Sequence, residues 1–163
     1  MKILFNISII IVFSLTFISC GYQLRGSMDI QGLSDIRIIS NERNNISKIL
    51  ERKLSSSNKS GVTNISKYPA IKIINIKSEK RQLSVNSGGR VDEYEIYKVI
   101  KYEFIFSEKN KQVHTSKASA SYDFNESQMQ GTKEKEIIAT NNIDKRLVRM
   151  IILKFRSAVK SNL

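Results

Sequence analysis

The chain has 163 residues, enough for one domain, and carries 27 Lys and Arg against 15 Asp and Glu, a formal charge of +12 at neutral pH. A single Cys excludes an internal disulfide, and one His beside one Cys excludes a His/Cys metal cluster. A cytosolic protein with this charge would suggest nucleic acid, so the first question is whether the chain stays in the cytosol.

The N-terminus indicates that it does not. Met1-Lys2 supplies one positive charge, and residues 3–19 form an uncharged, largely apolar run that ends Phe17-Ile18-Ser19-Cys20. The run is 17 residues, at the lower edge of the roughly 17–25 needed for a membrane-spanning helix. A charged start, a short apolar stretch and a small residue at the cut is the grammar of an export signal. Ser19-Cys20 matches the cleavage point of a lipobox, with Phe17 where Leu is usual. Residues 1–19 are therefore expected to be a lipoprotein signal peptide and Cys20 the lipidated N-terminus, which also accounts for a lone Cys in an exported chain. Two or more acyl chains, at about 0.8 kcal/mol per buried CH₂, give stable membrane anchoring. Gly21, rather than Asp, follows the Cys and implies sorting to the periplasmic face of the outer membrane. In that compartment the basic charge points to lipid phosphates or an acidic partner and away from nucleic acid.

Residues 20–33 form a tether with Gly21, Gly26 and Gly32, and residues 34–163 form one domain. Asp35–Ser40 is β-branched and predicts a short strand. Ile46, Ile49, Leu50 and Leu54 recur at helical spacing, with Asn44 or Asn45 as N-cap. Ser55–Gly61 ends this helix, Val62–Ser66 suits another short strand, and Pro69 marks a break. In Ile71–Lys77 the apolar parity changes, which predicts a bulge or two buried faces. Gln82–Val85 leads into Asn86-Ser87-Gly88-Gly89-Arg90, a hairpin signal. The strand beyond it places Tyr94, Ile96, Lys98, Ile100, Tyr102, Phe104 and Phe106 on its more apolar face. After a turn at Glu108–Lys111, the last strand sets His114, Ser116, Ala118, Ala120, Tyr122 and Phe124 on one face, where the small residues admit a helix. The terminal helix carries Ile143, Leu147, Met150, Ile151, Lys154 and Ala158, with Val148, Phe155 and Val159 widening the stripe. Its start falls near Gln128 or after Gly131, the later start being favoured for the regular part. Elements with one apolar side each pack as two layers, an α+β sandwich with one sheet face left free.

No catalytic constellation is present. There is no Gly-x-Ser-x-Gly elbow, Gly88-Gly89 lacks the residues of a phosphate loop, and Glu134 and Glu136 lie in a mixed-charge run with Lys133 and Lys135. An enzyme is not expected, and neither a metal site nor a cofactor.

Cys20-Gly21-Tyr22-Gln23-Leu24-Arg25-Gly26 resembles the mature start of the LPS-assembly lipoprotein LptE family. Ser84-Val85 with the Gly-containing turn and Asp92-Glu93-Tyr94-Glu95-Ile96 resembles that family's central hairpin. Ser121-Tyr122-Asp123-Phe124-Asn125 with Gln128-Met129 resembles its last strand and the approach to its long helix. The resemblance implies two helices packed on one face of a mostly antiparallel four-stranded sheet. It also implies a plug inside the outer-membrane β-barrel LptD, which assists barrel assembly and lipopolysaccharide delivery to the outer leaflet. Family members contact lipopolysaccharide through a base near the hairpin turn and one before the long helix. The second falls on Lys133. The first falls on Ser87, with Arg90 three residues along as the substitute. Arg90, Lys133 and Lys135 are the candidate lipopolysaccharide-binding residues. The alternative is a periplasm-facing lipoprotein that binds another envelope assembly partner or anionic lipid without plugging a barrel.

Overall fold

The parity change in the second strand organises the sheet. In the computed structural model, which describes residues 36–55 and 68–162, β1 (Arg37–Ser40) is followed by α1 (Asn45–Ser55). Three long strands come next, β2 (Ala70–Val85), β3 (Val91–Ile105) and β4 (Lys111–Asp123). A 3₁₀ turn at Glu126–Gln128 then leads into α2 (Met129–Asn162). Ile71 and Ile73 pair with Phe104 and Tyr102, the register slips between Ile73 and Asn75, and Ile76 pairs with Ile100. The bulge places Ile74 at 40% exposure and keeps Ile71, Ile73 and Ile76 on one face. The expected bulge is therefore present. The polar Ser78–Arg81 stretch continues β2 without a break into Gln82–Val85.

The strand order is β1-β2-β3-β4, and the sheet is mixed. β1 runs parallel to β2, and the other two pairings are antiparallel. A parallel pair needs a crossover, and α1 lies within it. Of the two N-cap candidates Asn44 caps α1: its Oδ1 accepts from the Ser47 N–H at 2.8 Å. Asn45 is thereby free for another task, and its amide donates to Asp144 Oδ2 at 2.7 Å. The strand expected at Val62–Ser66, and the signal peptide and tether expected over residues 1–33, lie outside the described residues.

Both helices cover the same sheet face. Ile46, Leu50 and Leu54 of α1 and Ile143, Leu147, Ile151, Ile152 and Phe155 of α2 join Ile71, Ile100, Tyr102 and Phe104 in one core. α2 starts earlier than its favoured start after Gly131. Asn125 Oδ1 accepts from the Ser127 N–H at 2.9 Å, and Thr132 Oγ1 donates to the Asn125 carbonyl at 3.2 Å, so the chain is already turning before Met129. Gly131 sits in the first turn, with open space around its Cα. The 34 residues of α2, at 1.5 Å rise, span about 51 Å. The 15 residues of β3, at about 3.3 Å, span about 50 Å, so one helix runs the length of the sheet.

Three contacts between α2 and the sheet mark that length. Phe155 meets Phe104 edge-on at 5.0 Å between centroids at one end. Asp144 accepts from Lys98 Nζ at 2.7 Å in the middle, and Glu136 accepts from Tyr122 Oη at 2.8 Å at the other end. The middle contact is buried, with Lys98 13% and Asp144 2% exposed. Removing one partner of a buried pair leaves an uncompensated charge and costs about 3–5 kcal/mol. Asp144→Ala is expected to lose stability in that range by urea unfolding, whereas Lys98→Met with Asp144→Leu recovers most of the loss.

His114 is a second polar point inside this layer. Its ring lies 4.7 Å from that of Phe104, and its buried Nε2 has no hydrogen-bond partner among the described residues. Burial, and the nearby Lys154 charge, hold its pKa below the ordinary value. The unfolded chain therefore takes up this proton first on acidification. The stability present above the ordinary histidine pKa, about 6.5, is lost as pH falls from there toward the folded value. Thermal melts between pH 7 and 5 should show this loss in the natural chain and a shallower one in His114→Phe.

Candidate functional site

The sheet end beside the β2–β3 hairpin collects the charged residues. The turn itself is built by Asn86 and Gly89. The Asn86 N–H donates to the Arg90 carbonyl at 2.8 Å, and the Gly89 N–H donates to the Asn86 carbonyl at 2.9 Å. Gly89 has φ +75°, a conformation that favours glycine. Arg90 thus stands at the exposed hairpin tip, with Nη1 3.5 Å from Glu126.

Opposite the hairpin, the N-terminal turns of α2 and the end of β4 form a cleft of about 460 Å³. Lys80, Phe124, Met129, Thr132, Lys133 and Glu136 line it. Lys80 comes from the polar stretch of β2, and its Nζ donates to Glu136 Oε2 at 2.8 Å. The same oxygen accepts from Tyr122 Oη at 2.8 Å. Lys80 Nζ also lies 4.5 Å above the centre of the Tyr94 ring and 5.3 Å from that of Tyr122. Tyr94 in turn packs edge-on against Phe124 at 5.2 Å. The result is a cation held on an aromatic platform beside an apolar wall.

The three candidate bases are distributed over this end unequally. Lys133 lines the cleft and forms no ion pair among the described residues. Lys135 faces away from it and pairs with Asp123 at 3.0 Å. Arg90 and Lys135 each meet an acidic residue flanking Phe124 and Asn125, so both lie at the β4–α2 junction. Cys20 lies outside the described residues. Sequence reasoning missed Lys80 and the role of Glu136. Alternation in β2 places Lys80 on the same side as Gln82, and the pairing with Ile96 places it on the core-facing side. That parity becomes readable only once the Ile74 bulge is located. Exposed apolar side chains, Leu83, Val85, Met129, Ile137 and Ile138, occur at the same end, so the region is both basic and greasy.

The outer face of the sheet differs in character. Arg81 Nε donates to Glu95 at 2.6 Å, and Arg81 sits 5.4 Å over the Tyr97 ring. A Ser119 hydrogen bond, and then Arg81, hold the Glu95 carboxyl below its usual pKa. Among the described residues no group of three or more His, Cys, Asp or Glu could hold a metal ion, and no helix is long and apolar enough to cross a membrane.

A family model described as LptE, lipopolysaccharide-assembly, matches residues 30–155. The chain belongs to the LptE family. The fold has solved counterparts. Rare lipoprotein B from Shewanella oneidensis superposes with a TM-score of 0.65 at 15% identity, covering 77% of this chain and 96% of that one. An uncharacterized lipoprotein B from Nitrosomonas europaea superposes with a TM-score of 0.64 at 22% identity, covering 85% and 94%. Comparison with curated protein sequences finds no match. The four-stranded sheet with two helices on one face is thus the fold of this LptE-family chain, and its role lies in lipopolysaccharide assembly.

The electrostatics of the cleft give a direct check. Hydrogen bonds from Lys80, then Tyr122, hold the Glu136 carboxyl below the usual glutamate pKa. Burial works against the Lys80 charge, but hydrogen bonds with Glu136 and Tyr122 outweigh it and raise its pKa. The Glu136 contribution to stability is therefore present above the usual glutamate pKa and fades as pH falls through the depressed value. Both partners are more than a third exposed, so the contribution is small. NMR titration of the Glu136 carboxyl should show the depressed midpoint, and Lys80→Met should return it upward.

Proposed function

We propose that this LptE-family chain is an outer-membrane lipoprotein, anchored through Cys20 at the periplasmic face. There it plugs an LptD-type β-barrel, assists the barrel's assembly and takes part in passing lipopolysaccharide to the outer leaflet. Family membership carries the assembly role. The observation that favours direct contact with the lipid is the pairing, at one end of the sheet, of exposed Leu83, Val85 and Met129 with Lys80, Lys133 and Arg90. Lipopolysaccharide presents acyl chains next to phosphates. A surface that offers apolar area beside cations meets both with one geometry, and the phosphate part of the attraction weakens as salt screens it.

Of the three candidate bases, Lys133 is the best placed to meet an anion, because Arg90 and Lys135 already face carboxylates. Those surface pairs are each worth little, so a phosphate could replace Glu126 or Asp123 at modest cost. Lys80 joins the set as a fourth base.

Affinity purification of the full chain from detergent-solubilised outer membrane should recover a large β-barrel, and recovery of the chain alone would reject the plug role. Charge reversal at Lys133 should weaken lipopolysaccharide binding several-fold, more at low salt than at high, while barrel recovery persists. Unchanged binding would reject the assignment of the base without touching the plug role.

A further inference from the structure

β4 is an edge strand, because no strand pairs with its far side among the described residues. An edge strand of 13 residues exposes a row of backbone groups that can template another strand. Which groups these are follows from the register. The Phe124 N–H donates to the Asp92 carbonyl at 2.8 Å, and the Phe106 N–H donates to the Asn110 carbonyl at 3.0 Å. Between these two bonds the β3–β4 register runs without a slip. Antiparallel neighbours alternate between bonded and non-bonded pairs, so the even-numbered residues of β4 exchange hydrogen bonds with β3. The odd-numbered residues Val113, Thr115, Lys117, Ser119 and Ser121 turn their N–H and C=O groups to the open edge.

Two of those outward carbonyls are occupied from α2. Lys154 Nζ donates to the Thr115 carbonyl at 3.1 Å, and Arg146 Nη1 donates to the Ser119 carbonyl at 3.2 Å. The spacing fits both elements. Thr115 and Ser119 are four strand residues apart, about 13 Å. Arg146 and Lys154 are eight helix residues apart, about 12 Å. The two side chains cross the edge on either side of Lys117, itself exposed and charged.

We propose that Arg146 and Lys154 are edge guards that keep β4 from pairing with β4 of a second copy of this chain. The self-pairing they oppose has a definite register. An antiparallel pair about a two-fold at Lys117 would set Thr115 of each copy opposite Ser119 of the other, so both guarded carbonyls of each copy would be needed for the new ladder. Lys117 would then face Lys117. Two hydrogen bonds per copy must break and four guard cations must crowd one seam before the strands can meet. The guards also lie away from the cleft, so they protect the edge without drawing on Lys80 or Lys133. The inference is independent of the lipopolysaccharide reading, since it rests on the register and two hydrogen bonds.

The test is the association state of the full chain in detergent, measured by density-matched sedimentation equilibrium. The natural chain should sediment with one copy per micelle. Arg146→Ala with Lys154→Ala should shift to a concentration-dependent dimer, doubling the buoyant mass. Adding Lys117→Pro removes an outward N–H that β3 does not use, so it should return that variant to monomer. Should the alanine variant lose its native circular dichroism, Arg146→Met with Lys154→Met keeps the apolar stems while removing the donors, and is read in the same way. A folded variant that stays monomeric overturns the proposal. So does a dimer that persists with Lys117→Pro, or a natural chain that already dimerises until Lys117→Pro is introduced.

Discussion

The Lys98–Asp144 ion pair fixes the layer geometry of this molecule. Lys98 enters from β3, Asp144 from α2, and Asn45 from α1 reaches the second carboxylate oxygen. A carboxylate 2% exposed needs its charge neutralised and its oxygens bonded, and this one has both. Because the three groups come from three elements, only one relative placement of helix, helix and sheet satisfies the carboxylate. Core residues such as Ile143, Leu147 and Ile100 supply the attraction but tolerate sliding, since apolar burial has no direction. The polar triad removes that freedom.

The second consequence of this placement is the registration of the cleft. With Asp144 tied to Lys98, Glu136 lies two turns nearer the N-terminus of α2 and meets Tyr122 and Lys80. The aromatic platform of Tyr94, Tyr122 and Phe124 then sits under the Lys80 cation. The basic, apolar end and the buried pair are therefore parts of one alignment, and the function proposed for that end depends on a contact buried in the core.

Much of this was legible in the sequence where period alone decides the structure. The apolar face from Tyr94 to Phe106 and the small-residue face of β4 followed from alternation, and the stripe of α2 from its spacing. The bulge at Ile74 was legible because four isoleucines change parity within six residues, from Ile71 and Ile73 to Ile74 and Ile76. What failed was decided by long-range partners. The polar Ser78–Arg81 stretch carries no apolar alternation of its own, yet β3 pairs with it throughout. Lys98 was assigned to the core-facing side, but its partner lies 46 residues away and no local pattern names it. Of the two starts read for α2, near Gln128 or after Gly131, the earlier holds, because Asn125 and Thr132 set the turn before Met129. In the cleft, Lys133 was singled out through family likeness. Lys80 was missed because its side depends on the bulge, and Arg90 and Lys135 proved to be partnered by acids that no spacing rule pairs with them.

The match in length between α2 and β3 has an evolutionary reading. Each residue added to a strand lengthens it by about 3.3 Å, and each helical residue adds 1.5 Å. A relative with a longer sheet can keep its helix end over its hairpin only by gaining about two helical residues for every residue added to each of the paired strands. Insertions in this architecture should therefore be found in linked sets, two residues in the helix for one in each strand. A lone insertion in α2 between Glu136 and Asp144 would turn Glu136 about 100° away from Tyr122, and with it the cleft would come apart while the core stayed whole.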